Sequence, residues 1–251
     1  MTEILRAFGR SLRSLTQAGV LWHLVWPTVV AMVAWLAVGV AMWSPVVDGV
    51  MGWIRDWPWA ADQLAASQMG AVVLLILVKI VLALLFVPLI YVTAALLVAA
   101  VALPMMLERV SRQDYGDLEL RRGGSNVGSV VNALVAGLVF LVGFVVTLPF
   151  WLIPGVGLVL SVLLTAWLNQ KAFSYDALML HADPEELERL PRACKSGTFG
   201  VGLGSALLAY IPVVNLFAPA FCGLAFAHFL LEALRRDRAS RGWAIVPAGT
   251  A

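Results

Sequence analysis

The chain has 251 residues, 61% of them hydrophobic and only 13% charged, with a mean hydropathy of +0.90. A soluble domain carries about 25% charged residues, so this composition excludes an ordinary soluble fold and indicates an all-α, polytopic integral membrane protein forming a single membrane domain over 1–251. The small net charge of +2 and the scatter of the basic residues argue against nucleic acid as a partner, and Cys194 and Cys222 alone provide neither a disulfide frame nor a metal site.

Residues 1–18 read as an interfacial amphipathic helix that stays in the mature protein. Ile4, Phe8, Leu12 and Leu15 recur at helical spacing, with Arg6, Arg10 and Arg13 on the other faces. The apolar run 21–43 is long enough to span a bilayer, and Trp22, Trp26 and Trp43 mark its ends as interfacial anchors. From Ser44 to about Met69 an outward loop is expected, resting on the interface through Trp53, Trp57 and Trp59. A second transmembrane helix covers 70–108. Its apolar part would be roughly 50 Å long against a hydrocarbon core of about 30 Å, so it must tilt, protrude or kink, with Pro88 the expected kink. Lys79 lies within this run, either snorkelling to the outer interface or lining an ion pathway.

Two half-penetrating helical hairpins follow, over 127–180 and 197–238. In the first, the breaker cluster from Pro149 to Gly157 leads into an arm, Leu158 to Leu168, of only about 16 Å. In the second, Thr198 to Ile211 would be about 21 Å long before the breakers from Pro212 to Pro219. Arms this short favour re-entry over six complete spans, although both arrangements keep the same sidedness. The apices resemble each other, Ile153-Pro154-x-Val156-x-Leu158 matching Ile211-Pro212-x-Val214-x-Leu216. At each apex the returning helix starts inside the membrane, which presents unpaired N–H groups and a positive dipole end suited to an anion. Asn215 stands at an N-cap position, and Gly155 and Gly157 permit close backbone approach; all three serve either such a site or simply a tight turn.

All but two of the 17 Lys and Arg residues, Arg55 and Lys79, fall in four segments: the N-terminus, the region after the second helix, the link between the hairpins, and the C-terminal end. The bias places both termini in the cytoplasm and anionic lipids beside the basic loops. Asp183 followed by Pro184 is an N-cap with proline at the first helical position. Gly200 to Gly204 read as close helix packing, because no strand or downstream acid makes them a dinucleotide turn. His228 reads as a packed or interfacial residue. No catalytic constellation can be assembled, so the chain is read as a non-enzyme without cofactor or metal.

With these segments in place, Ile153-Pro154-Gly155-Val156-Gly157, Ala166-Trp167, Tyr175-Asp176 and Ile211-Pro212-Val213-Val214-Asn215-Leu216-Phe217 resemble the CysZ-type sulfate permease family, part of the wider etoposide-induced protein 2.4 family. The resemblance implies long transmembrane helices with two half-penetrating hairpins, a homo-oligomer in the bacterial inner membrane, and inward transport of a small inorganic anion. It also implies a binding stretch of Gly-apolar-Arg-Arg before the first membrane helix. The matching stretch here begins at Gly19 and contains His23 and Pro27, but Leu21 and Trp22 replace both arginines, which weakens the case for sulfate. A second departure is Leu103-Pro104-Met105-Met106-Leu107-Glu108, where the family shows Pro-Phe-Asn ahead of its acid. The competing function is a non-transporting scaffold that perturbs the bilayer or recruits a partner.

Overall fold

The computed structural model describes residues 1–58, 67–211, 215 and 217–242. Among them every regular element is helical: α1 (Thr2–Leu15), α2 (Ala18–Arg55), α3 (Gln68–Leu97), α4 (Leu103–Asp114), α5 (Asn126–Thr147), α6 (Val156–Leu178), α7 (Pro184–Ala193), α8 (Lys195–Leu208) and α9 (Ala218–Ser240). Five segments are long and apolar enough to cross a membrane: Ala18–Arg55, Gln68–Ala94, Asn126–Leu152, Val156–Leu178 and Ala218–Ser240. The chain is a multi-pass membrane protein. It divides into two compact units, one of residues 1–24 and 101–251, the other of residues 25–100.

Within residues 25–100, α2 and α3 pair in opposite directions. Trp35 Nε1 donates to Thr93 Oγ1 at 2.9 Å, Trp43 meets Phe86, and Met51 is buried against Val78. As the residue number on one helix rises, that of its partner falls. Most other side chains here are exposed and apolar, as lipid-facing positions must be. Two expectations need correction. Ser44 to Arg55 continue α2 and are not a loop, because Pro45 deletes a single ladder bond and the surrounding hydrophobic sequence keeps the turn helical. Pro88 sits inside α3 without interrupting it, whereas the helix widens into a π segment at Val98–Ala102, just ahead of Pro104. Pro104 cannot donate to the Ala100 carbonyl, which lies within that π segment. Of the Trp cluster, Trp53 and Trp57 stack edge-on at 5.0 Å, and Trp59 lies outside the described residues.

The other unit is organised around α9. Leu224, Ala225, Phe226, Leu230, Leu231 and Leu234 are fully or almost fully buried, so this helix is apolar around most of its circumference and is enclosed by α1, α4, α6 and α8. Close approach depends on glycine. Gly200 and Gly204, one turn apart on α8, lie against Ile4 and Phe8 of α1, while Gly202 faces the carbonyl oxygen of Ala166 on α6. The packing role read for this Gly-rich run is the one the structure gives it.

The second arm of the first hairpin is longer than expected. Asn169, Gln170 and Lys171 do not end α6, which runs to Leu178 as a helix of 23 residues. The polar residues are accommodated by neighbours: buried Gln170 donates to Thr198 Oγ1 at 2.7 Å and to the Lys195 carbonyl at 3.1 Å, and Ser129 donates to Asp176 at 2.5 Å. Satisfied partners allow a helix to continue where polarity alone suggested a stop.

Asp183 does cap α7, accepting from the Glu186 N–H while Glu186 accepts in return from the Asp183 N–H. Glu186 also forms a buried, bidentate pair with Arg238 of α9 at 2.9 and 2.7 Å, and Arg238 donates further to the His181 and Glu119 carbonyls. Next to it, burial and the Arg238 charge hold His181 down to about 4, from an ordinary value of 6.5. Its folded value lies below its unfolded one, so stability from keeping it neutral is full above pH 6.5 and is lost as pH falls towards 4. We expect His181→Gln to remove part of that acid sensitivity, about 1.4 kcal/mol per pH unit inside the window. Thermal unfolding of both proteins from pH 7.5 to 4 tests this, and parallel curves for the two would refute it.

Candidate functional site

The stretch expected to meet an anion is the first turn of α2. Gly19 has no side chain, and the Arg109 guanidinium from α4 occupies the space: a methyl group on Gly19 would stand 2.5 Å from Arg109 Cζ. No local motif announces this, because Arg109 lies 90 residues away in sequence from Gly19, and only the return of the chain through α4 brings them together. Arg109 makes no hydrogen bond or ion pair among the described residues. Its planar fork of donors therefore remains available to an oxyanion. His23 Nδ1 lies 2.5 Å from the Gly19 carbonyl, an arrangement in which the ring donates to the backbone and its Nε2 is left as the second polar atom. Leu21 and Trp22, which stand where arginines were expected, are exposed.

The hairpin apices have a different character. Gly155 has φ of +82° and sits at the N-cap of α6, a left-handed conformation that glycine adopts without a Cβ penalty. Gly157 is covered by the Trp151 ring, whose Cγ would be 2.8 Å from an added methyl group. Both glycines thus have a turn-forming task. Asn215 is not the N-cap of α9; Phe217 holds that place, and the Asn215 N–H donates to the Ile211 carbonyl at 2.8 Å. Residues 212–214 and 216 of this apex lie outside the described set. Lys79 is exposed on α3 and belongs with residues 25–100, away in the chain from the other candidates.

A buried polar cluster at the charged end of α9 was not apparent from local sequence. His228 Nε2 is 3.0 Å from Ser14 Oγ, and its Nδ1 is 3.1 Å from the Tyr115 hydroxyl. Arg10 donates to that hydroxyl at 3.2 Å and to Glu232 at 2.9 Å, while Arg235 stacks over the Tyr115 ring at 4.7 Å and pairs with Asp117. Burial pushes the Tyr115 hydroxyl above its ordinary value, which keeps it neutral and able to donate. The reading of His228 as packed stands, with named partners now supplied. Its partners come from α1 and from the loop after α4, at sequence separations that no periodicity reveals.

No curated protein matches the chain in sequence. A family model described as sulfate transporter CysZ/etoposide-induced protein 2.4 matches residues 7–219, from within α1 to the start of α9, and the chain belongs to that family.

Proposed function

We propose that this protein is a membrane transporter or channel for a small inorganic anion, sulfate-permease-like, with α2 and α3 as the crossing helices and α5–α6 and α8–α9 as hairpins that enter and leave from one side. The observation that carries the reading is the Arg109 guanidinium lying over Gly19, in a chain of the sulfate transporter family. A guanidinium reaches the place from which the sequence lost two. Support for the hairpins comes from α8, whose 14 residues give about 21 Å, short of a hydrocarbon core of about 30 Å. In α6 the apolar part also ends at Leu168, ahead of Asn169 and Gln170. Cytoplasmic termini follow from the basic segments, and an inner-membrane homo-oligomer from the family.

Flux of sulfate and related anions from proteoliposomes tests this directly. The parent is expected to conduct at least one such anion, and Arg109→Gln to lower that flux about tenfold, the lower end of what a hydrogen bond to a charged group is worth. Gly19→Leu should lower it as well, by displacing the guanidinium. If correctly inserted parent protein moves no anion yet alters lipid order or retains a partner, the scaffold reading replaces this one.

A further inference from the structure

We propose that the polar cavity beside α1 is a binding site for inorganic hydrogenphosphate, and that it rejects sulfate. The cavity has a volume of about 420 Å³, within the roughly 300–1,000 Å³ of small-ligand pockets. It is distinct from the Gly19–Arg109 position, neither residue of which lines it. Arg10, Arg13 and Ser14 of α1 supply one wall at i, i+3 and i+4 spacing, the period that places residues on a single helical face, and Gln17, just past the end of α1, extends it. α4 contributes Gln113 and Asp114, and α9 contributes Arg235.

Donors dominate the lining. The Arg13 side chain makes no hydrogen bond or ion pair among the described residues, so all of its guanidinium N–H groups are available. Arg10 contacts Tyr115 and Glu232 through Nη1 alone, leaving Nε and Nη2. The acids that hold Arg10 and Arg235, Glu232 and Asp117, are not part of the cavity wall and anchor the guanidiniums from behind. These acids also offset much of the net positive charge. Recognition here therefore depends on directed donors more than on a long-range field.

One group breaks the pattern. The Asp114 carboxylate is the only acid in the wall, and its side chain has no hydrogen-bond partner among the described residues; Arg235 binds its backbone carbonyl at 2.9 Å instead. A carboxylate can only accept, so a bare oxyanion placed among the arginines would set its lone pairs against those of Asp114. An oxyanion that keeps a proton satisfies both halves of the site, taking N–H donors on its oxygens and giving its O–H to Asp114. Hydrogenphosphate carries that proton at neutral pH. Sulfate and the phosphodiester of a lipid headgroup do not. Sites built to pair a hydroxyl discriminate strongly against analogues that lack it.

The test is calorimetric titration of the full chain, in nanodiscs of zwitterionic lipid at pH 7, with inorganic phosphate and with sulfate, repeated in nanodiscs containing an anionic phospholipid. Phosphate is expected to bind at least about ten times more tightly than sulfate, and the anionic lipid to leave phosphate binding nearly unchanged. Arg13→Gln, a substitution at an exposed side chain, should weaken phosphate about tenfold while helix content and melting temperature stay at parent values. Asp114→Asn should reduce the phosphate-to-sulfate preference about tenfold or invert it, since an amide can donate to sulfate. Equal binding of the two anions by the parent, indifference of the preference to Asp114→Asn, or occupancy by the anionic lipid with no phosphate binding would each overturn the assignment. The outcome does not depend on transport, because binding is read without flux and neither variant touches Gly19 or Arg109.

Discussion

Glu186→Ala is expected to lower stability by about 3–5 kcal/mol, the cost of leaving one member of a buried ion pair without its partner. The two side chains are only 3% and 5% exposed, and Glu186 also completes the cap of α7, so one substitution removes both a counter-charge and a helix start. Thermal unfolding of the purified protein in detergent gives the measurement. Glu188→Ala is the internal comparison: it removes an ion pair with Arg192 in which both side chains are more than two-thirds exposed, and such pairs are worth at most about 1 kcal/mol. If the two substitutions shift the transition equally, the buried pair is not what stabilises this region. Replacing both partners by residues of similar shape, Glu186→Leu with Arg238→Met, should recover most of the loss, because no unpaired charge then remains.

Gly202→Ala should cost about 1–3 kcal/mol, and Gly202→Leu more. The added methyl group would stand 2.5 Å from the Ala166 carbonyl oxygen, and a helix backbone, unlike a flexible side chain, cannot turn aside. Relief requires α6 and α8 to separate, which strains the buried Gln170 to Thr198 hydrogen bond as well. Gly137→Ala on α5 provides the contrast. Nothing lies within 4 Å of a methyl group there, so the better helix propensity of alanine should leave stability unchanged or raise it by up to about 1 kcal/mol. A neutral Gly202→Ala in the same assay would show that the α6–α8 contact is not closely packed.

What the sequence made legible follows from which forces are local. The N-terminal amphipathic helix, the cap at Asp183 and the packing glycines of α8 all depend on periodicity or on neighbours within a few positions, and the structure has them at those residues, while the long apolar stretches are helical with other bounds. The expected kink at Pro88 is absent, and the outward loop expected from Ser44 is helical as far as Arg55. A single missing ladder bond does not end a helix whose flanks are strongly apolar, so Pro45 lies within α2 and the irregularity falls ahead of Pro104. The polar end of α6 was under-read for a related reason, since Gln170 is satisfied by residues some 25 positions away. Arginines were counted for their sidedness alone. In the fold Arg235, Arg236 and Arg238 are each committed to an acid from a distant segment, Asp117, Glu3 and Glu186, while Arg109 reaches Gly19. Such pairings require the tertiary arrangement and leave no trace in spacing.

The enclosure of α9 has a consequence for biogenesis. This helix follows every other described helix in the chain, yet it supplies the centre around which α1, α4, α6 and α8 gather, together with Arg238 for Glu186 and His228 for Ser14. While the ribosome is still translating α8, those surfaces are made but have nothing to close upon, and Glu186 has Arg121 at 3.8 Å but lacks the bidentate partner that Arg238 will supply. The nascent protein therefore passes through a stage in which its inner faces are open to lipid, to chaperones and to other unfinished chains. A chain interrupted before Leu234 remains at that stage, so proteolytic surveillance has a clear physical mark by which to tell a truncated product from a finished one.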